Sequence, residues 1–211
     1  MSAVAWLVLV GHALLDPTGH HPPGRAEIIG IWLLMVLAMM VPLQRFSIRL
    51  TATRSLWRRR ERAIAGFLVG YLSPWLIVGA SVAALDVSAT RNPWLGGLGF
   101  AIAAVWQLTP AKATALRACH RSVPLAPHGW RADRDCFRFG WLTGKSCLVS
   151  CWALILACVL AGHSLAAMAC VSVIAFAERY AIRPRQKAPF SPLLGAALVY
   201  GILGLSGLQF G

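Results

Sequence analysis

The apolar stretches of this chain are separated by three segments that carry almost all of its positive charge, and that alternation leaves few folds open. Segment 44–62 holds Arg45, Arg49, Arg54, Arg58, Arg59, Arg60 and Arg62. Segment 109–145 holds Lys112, Arg117, Arg121, Arg131, Arg134, Arg138 and Lys145, and segment 178–190 holds Arg179, Arg183, Arg185 and Lys187. Of the 20 basic residues only Arg25 and Arg91 lie elsewhere. Basic loops between membrane spans stay on the cytoplasmic side, so these three segments are expected to be cytoplasmic and the C-terminus periplasmic. With 58% hydrophobic and only 13% charged residues, the composition is that of a polytopic membrane protein. Backbone polar groups inside lipid must be satisfied within the chain, which favours helices. The expected fold is therefore an all-α, polytopic transmembrane helical bundle of six or seven spans, in an inner (plasma) membrane.

The expected spans are 3–15, 27–43, 63–84, 94–108, 141–161, 164–177 and 192–210, in a single domain covering 1–211. The first falls short of the roughly 20 residues a spanning helix needs. It also lacks a basic leader and a small-residue cleavage site, so a cleaved signal peptide fits poorly. Prolines and glycines in 16–24 break the chain before the second span. A proline kinks a membrane helix more readily than it ends one, so the fourth helix is expected to run past Pro110 towards Cys119.

A formal net charge of +13 would point to nucleic acid in a soluble chain. Here the charge flanks apolar spans, where it attracts anionic lipid heads instead, so membrane lipids are the expected partner and nucleic acid is not. No nucleophile–base set, phosphate loop or carboxylate pair is present, and no enzyme activity is expected.

Soft ligands gather at one depth. Cys147 and Cys151 are four residues apart, on one face of a helix. Met39 and Met40 end the second span on the same side, and Cys119 and His120 follow the fourth. Thiolate and thioether ligands suit Cu(I), and a Cys/His set suits zinc. Lys145 and nearby arginines are expected to favour thiolates. The competing reading is that cysteine and methionine fill gaps between helices. Cys158 and Cys170 read as packing residues and Cys136 as a reduced cytoplasmic thiol. A second, outer group comprises His12, Asp16, His20, His21, Glu27, Asp86 and His163, without a paired chelate. Glu178 is expected to close a helical hairpin through Lys145. Gly66/Gly70, Gly96/Gly97/Gly99 and Gly195, Gly201, Gly204 and Gly207 allow close helix approach. Trp6, Trp57, Trp94 and Trp141 suit membrane interfaces.

Five stretches read together: Met35-Val-Leu-Ala-Met-Met-Val-Pro42, Gly70-Tyr-Leu-Ser-Pro-Trp75, Gln107-Leu-Thr-Pro-Ala-Lys112, Gly144 to Trp152, and Glu178. In this order and spacing they resemble a bacterial family of predicted metal-binding integral membrane proteins, over roughly residues 31–200. The resemblance implies a fold more firmly than an activity. It also implies ligands that this chain lacks: Ala115, Thr143 and Ser150 stand where the family commonly has cysteine, histidine and cysteine. Two functions remain open. One is a protein that binds or handles a soft metal ion, copper or zinc, at the cytoplasmic half of the bundle through Cys147, Cys151, Cys119, His120, Met39 and Met40. The other is a non-catalytic structural or accessory subunit with a degraded metal site, packed against other membrane-protein subunits or a soluble partner.

Overall fold

A computed structural model describes residues 2–15, 24–85, 93–126, 128–162 and 164–180, and all regular structure among them is helical. The helices are α1 (Ser2–Leu15), α2 (Arg25–Met39), α3 (Arg45–Arg54), α4 (Arg60–Leu85), α5 (Pro93–Gln107), α6 (Pro110–Ala118), α7 (Gly129–Leu160) and α8 (Leu165–Tyr180). Three helical stretches are long and apolar enough to cross a membrane, Ala26–Arg54, Trp57–Ala84 and Gly129–Leu160. The expected seventh span and most of the outer histidine and carboxylate group lie outside the described residues.

The bundle is organised around α7. Its buried residues recur every third or fourth position, from Ala132 and Cys136 through Phe139, Gly140, Thr143, Gly144, Cys147, Ser150, Cys151 and Leu154 to Cys158. That spacing is one stripe of a 3.6-residue helix. α4 lies along it and presents Phe67, Tyr71 and Trp75, each four residues after the last and each fully buried. Phe67 packs on Phe139 with ring centroids 5.2 Å apart.

The two backbones approach closely because glycine stands at the crossing. A Cβ at Gly140 would collide with the Phe67 carbonyl, and one at Gly70 with the Phe137 carbonyl. One at Gly144 would lie 2.5 Å from the Tyr71 carbonyl. Small residues at such a crossing let helices meet along their backbones. Around this pair sit α2, tied to α4 by Trp32 Nε1 donating to the Trp75 carbonyl at 2.9 Å, and α5, whose Trp106 packs edge-on against Trp152.

Three expectations are corrected here. The basic stretch before Trp141 is not a loop: α7 begins at Gly129 and runs 32 residues without a break. Part of the segment 44–62 is likewise helical, as α3, reached through a tight turn at Pro42–Gln44. The fourth helix does not continue through Pro110. α5 ends at Gln107, and Thr109 caps a separate helix, its hydroxyl accepting from the Lys112 N–H at 3.3 Å with Pro110 in the first turn. The Thr-Pro pair is a helix start signal. α6 consequently turns across α7, with Lys112, Ala115 and Cys119 buried.

Candidate functional site

The stripe on α7, the buried face of α6 and the last turn of α8 enclose a small cavity. It is lined by Leu43, Gln44, Leu116, Cys119, Cys147, Ser150, Cys151, Ala175, Glu178 and Arg179, and has room for about one water-sized occupant. Three of the six expected soft ligands, Cys119, Cys147 and Cys151, thus open onto one space. Met39 and Met40 are buried beside it and His120 is exposed, and none of these three lines it. Partial burial and the nearby Arg179 guanidinium hold the His120 imidazole below its ordinary range.

Cys147 and Cys151, four positions apart on α7, share one face and both line the cavity. Ser150 stands between Cys151 and Cys119. Its oxygen lies 3.5 Å from the Cys151 sulfur and 4.0 Å from the Cys119 sulfur, and it donates to the Cys147 carbonyl at 2.9 Å. Burial pushes the Cys119 thiol up to about 11, against the pull of Arg179. Among the described residues, no three His, Cys, Asp or Glu side chains come together closely enough to hold a metal ion. Any ion here would rest on a pair of thiols rather than a tetrahedral set.

Polar groups surround the thiols in an ordered chain. The Arg179 guanidinium donates to Gln44 Oε1 at 3.2 Å, Gln44 Nε2 donates to the Tyr71 hydroxyl at 3.3 Å, and that hydroxyl lies 3.3 Å from Cys147 Sγ. Beside it runs a buried ion pair, but not the expected one. Glu178 meets Lys112 at 2.8 Å, with side chains only 9% and 4% exposed, while Lys145 is exposed on α7. The corner at Thr109-Pro110 brings Lys112 to this position. The cation lining the cavity is accordingly Arg179, in place of Lys145.

Sequence reading passed over Tyr71, Gln44, Lys112 and Arg179 as site residues. The available signal was a polar side chain within or just beyond an apolar run, which is costly to bury and needs a partner. Ala115, Thr143 and Ser150 are all buried, so the substituted positions face the interior. Cys158 is fully buried among apolar groups. Cys136 is also buried, against Gly66.

A family model described as PpoB2, copper chaperone, matches residues 29–203. The chain belongs to this family. The match runs from within α2 through α8 and so includes every residue of the cavity. It agrees with the metal-related part of the resemblance drawn from the five sequence stretches. No curated protein and no solved structure matches the chain.

Proposed function

We propose that this chain is an integral membrane member of the copper chaperone family that takes up Cu(I) on Cys147 and Cys151 and passes it to a protein partner. The observation that carries the reading is the opening of Cys119, Cys147 and Cys151 onto one cavity. Soft thiolates select Cu(I), which is stable with two sulfur ligands. Structural zinc takes four ligands, and the described residues offer no such set. Cys119 opens onto the same space across Ser150, but the three thiols do not form one ligand set among the described residues. Copper is cargo in this reading, so a shallow ligand set that releases its ion suits the role better than a closed one.

The membrane reading is supported by the basic segments and by the three long apolar helices. Six or seven spans with 44–62, 109–145 and 178–190 on the cytoplasmic side would put the cavity at the cytoplasmic half, where a soluble or membrane-bound partner and anionic lipid heads could reach it.

The test is Cu(I) loading of the detergent-solubilised protein without oxygen, followed by elemental analysis. The expected result is one copper per chain, lost in the Cys147→Ser, Cys151→Ser double variant and retained in Cys158→Ser. The accessory-subunit reading is favoured by one observation: Tyr71 and Ser150 already contact the thiols. If that reading is right, copper is absent from both proteins, and thiol labelling is slow with or without a copper chelator.

A further inference from the structure

Arg179 is only 8% exposed and lines the cavity, yet among the described residues its hydrogen-bond acceptors are both neutral. It donates to Gln44 Oε1 at 3.2 Å and to the Cys119 carbonyl at 3.0 Å. The carboxylate next to it in sequence, Glu178, is taken by Lys112. Lys112 and Glu178 cancel, so among the described residues the cavity lining carries one cation in excess. A buried charge without a counter-charge is costly, and its retention calls for a physical reason.

The hydrogen bonds around Arg179 supply one. A guanidinium can only donate, so Gln44 must turn its carbonyl towards Arg179 and its amide nitrogen towards Tyr71. The Tyr71 hydroxyl accepts from that nitrogen and has one proton, with two acceptors in reach: the Met40 carbonyl at 3.4 Å and Cys147 Sγ at 3.3 Å. Each donor in the chain can thus point towards Cys147, with a full positive charge at its head. A neutral thiol makes little use of that arrangement. A metal-bound thiolate accepts the Tyr71 proton and is met by the whole chain, because charge-assisted hydrogen bonds are the strong ones.

We propose that Arg179, acting through Gln44 and Tyr71, is the counter-charge that makes this cavity selective for a monovalent soft cation held by two thiolates. The inference rests on the copper reading above. When Cu(I) is transferred, its bonds to the copper donor's ligands and two S–H bonds break, and two S–Cu bonds form. Two protons leave to water or to the copper donor, and no electron moves. The resulting bis-thiolate complex carries one negative charge, which Arg179 neutralises. A divalent ion on the same two thiolates is already neutral, and it leaves Arg179 as uncompensated as it is beside two neutral thiols. The discrimination therefore comes from charge rather than from ion size. Arg179 is a positioning residue in this scheme: it donates to Gln44 and the Cys119 carbonyl, and it reaches Cys147 through Gln44 and Tyr71.

The test compares Cu(I), Ag(I) and Zn(II) affinities of the full chain in detergent, each by competition with a chromogenic chelator. Arg179→Gln removes the cation. Gln44→Glu keeps it but gives it a carboxylate partner, so the cavity is neutral before any metal enters. Both variants are expected to lose about ten- to a hundredfold in Cu(I) and Ag(I) affinity, the scale of one unit charge about 6–12 Å away at an effective dielectric of about 20. Zn(II) affinity should stay where it was, and Arg179→Lys should keep most of the Cu(I) affinity. If Arg179→Gln fails to fold, Gln44→Glu alone decides the matter. An equal loss for all three ions, or no loss of Cu(I), overturns the counter-charge. A wild-type chain that binds no Cu(I) overturns the copper reading beneath it.

Discussion

The hydroxyl of Tyr71 stands 3.3 Å from the sulfur of Cys147, joining α4 to α7 at the wall of the cavity. The same oxygen accepts from Gln44 Nε2, so a single atom links the polar network to a thiol. Tyr71→Phe removes it and leaves the Gln44 amide buried without that partner. The expected cost is about 1–3 kcal/mol of stability, the desolvation penalty of an unsatisfied group. Thermal unfolding without metal measures that cost, and Cu(I) competition should show a parallel loss of affinity. An unchanged midpoint and unchanged affinity would contradict the assignment.

The crossing of α4 and α7 depends on a missing Cβ at Gly140. Gly140→Ala places a methyl against the Phe67 carbonyl and 2.8 Å from the Tyr71 nitrogen, and backbone cannot move aside as a side chain would. Overpacking of this kind costs about 1–3 kcal/mol. Gly66→Ala is the control, on α4 at the same interface but against Cys136, one turn before Gly140 on α7. Its new methyl would meet the Cys136 Cβ at 3.6 Å, an ordinary contact, and alanine is the better helix former. Melting temperatures should fall for the first and hold or rise for the second.

The Lys112–Glu178 pair is buried deeply enough for its loss to be felt on one side only. Lys112→Met leaves a carboxylate unpaired, at an expected cost of about 3–5 kcal/mol. The double variant Lys112→Met, Glu178→Leu removes both charges and should recover most of that loss. Lys145→Gln should change little, because Lys145 is exposed. Chemical denaturation of the four proteins measures these differences. A large effect at Lys145 would return Glu178 to the partner expected from sequence.

Spacing made part of this site legible. A separation of four positions between Cys147 and Cys151 guaranteed a shared face, and the depth of the apolar runs brought Cys119 near them. The partner of Glu178 was not legible in the same way. It depends on the direction α6 takes after Thr109-Pro110, and a cap fixes where a helix starts but not where it points. Glu178 and Arg179 are neighbours on α8 that face different partners, and sequence adjacency alone does not say which one meets the cavity. The helices within the basic segments were hidden because arginines on exposed faces lower the mean hydropathy of stretches whose other face is buried, as at Ala132 and Cys136. Gly140 and Gly144 are spaced like Gly66 and Gly70, yet only their position against the carbonyls of α4 shows what they permit.

The proposed orientation makes its own prediction. A phosphatase reporter fused after Arg60 should be inactive in the periplasm-sensitive assay, because segment 44–62 is proposed to be cytoplasmic. The same reporter fused after Ser88, beyond the next apolar helix, should be active. Activity in the opposite order would move the cavity to the other half of the membrane and remove the argument for a cytoplasmic partner.

The central claim is that copper sits on the thiols of α7, and X-ray absorption at the copper edge of the Cu(I)-loaded protein tests it most directly. The account predicts an edge characteristic of Cu(I) and a first shell of two sulfur atoms, which disappears in the Cys147→Ser, Cys151→Ser variant. A first shell dominated by nitrogen or oxygen, or a sulfur shell that survives the loss of both cysteines, would contradict it.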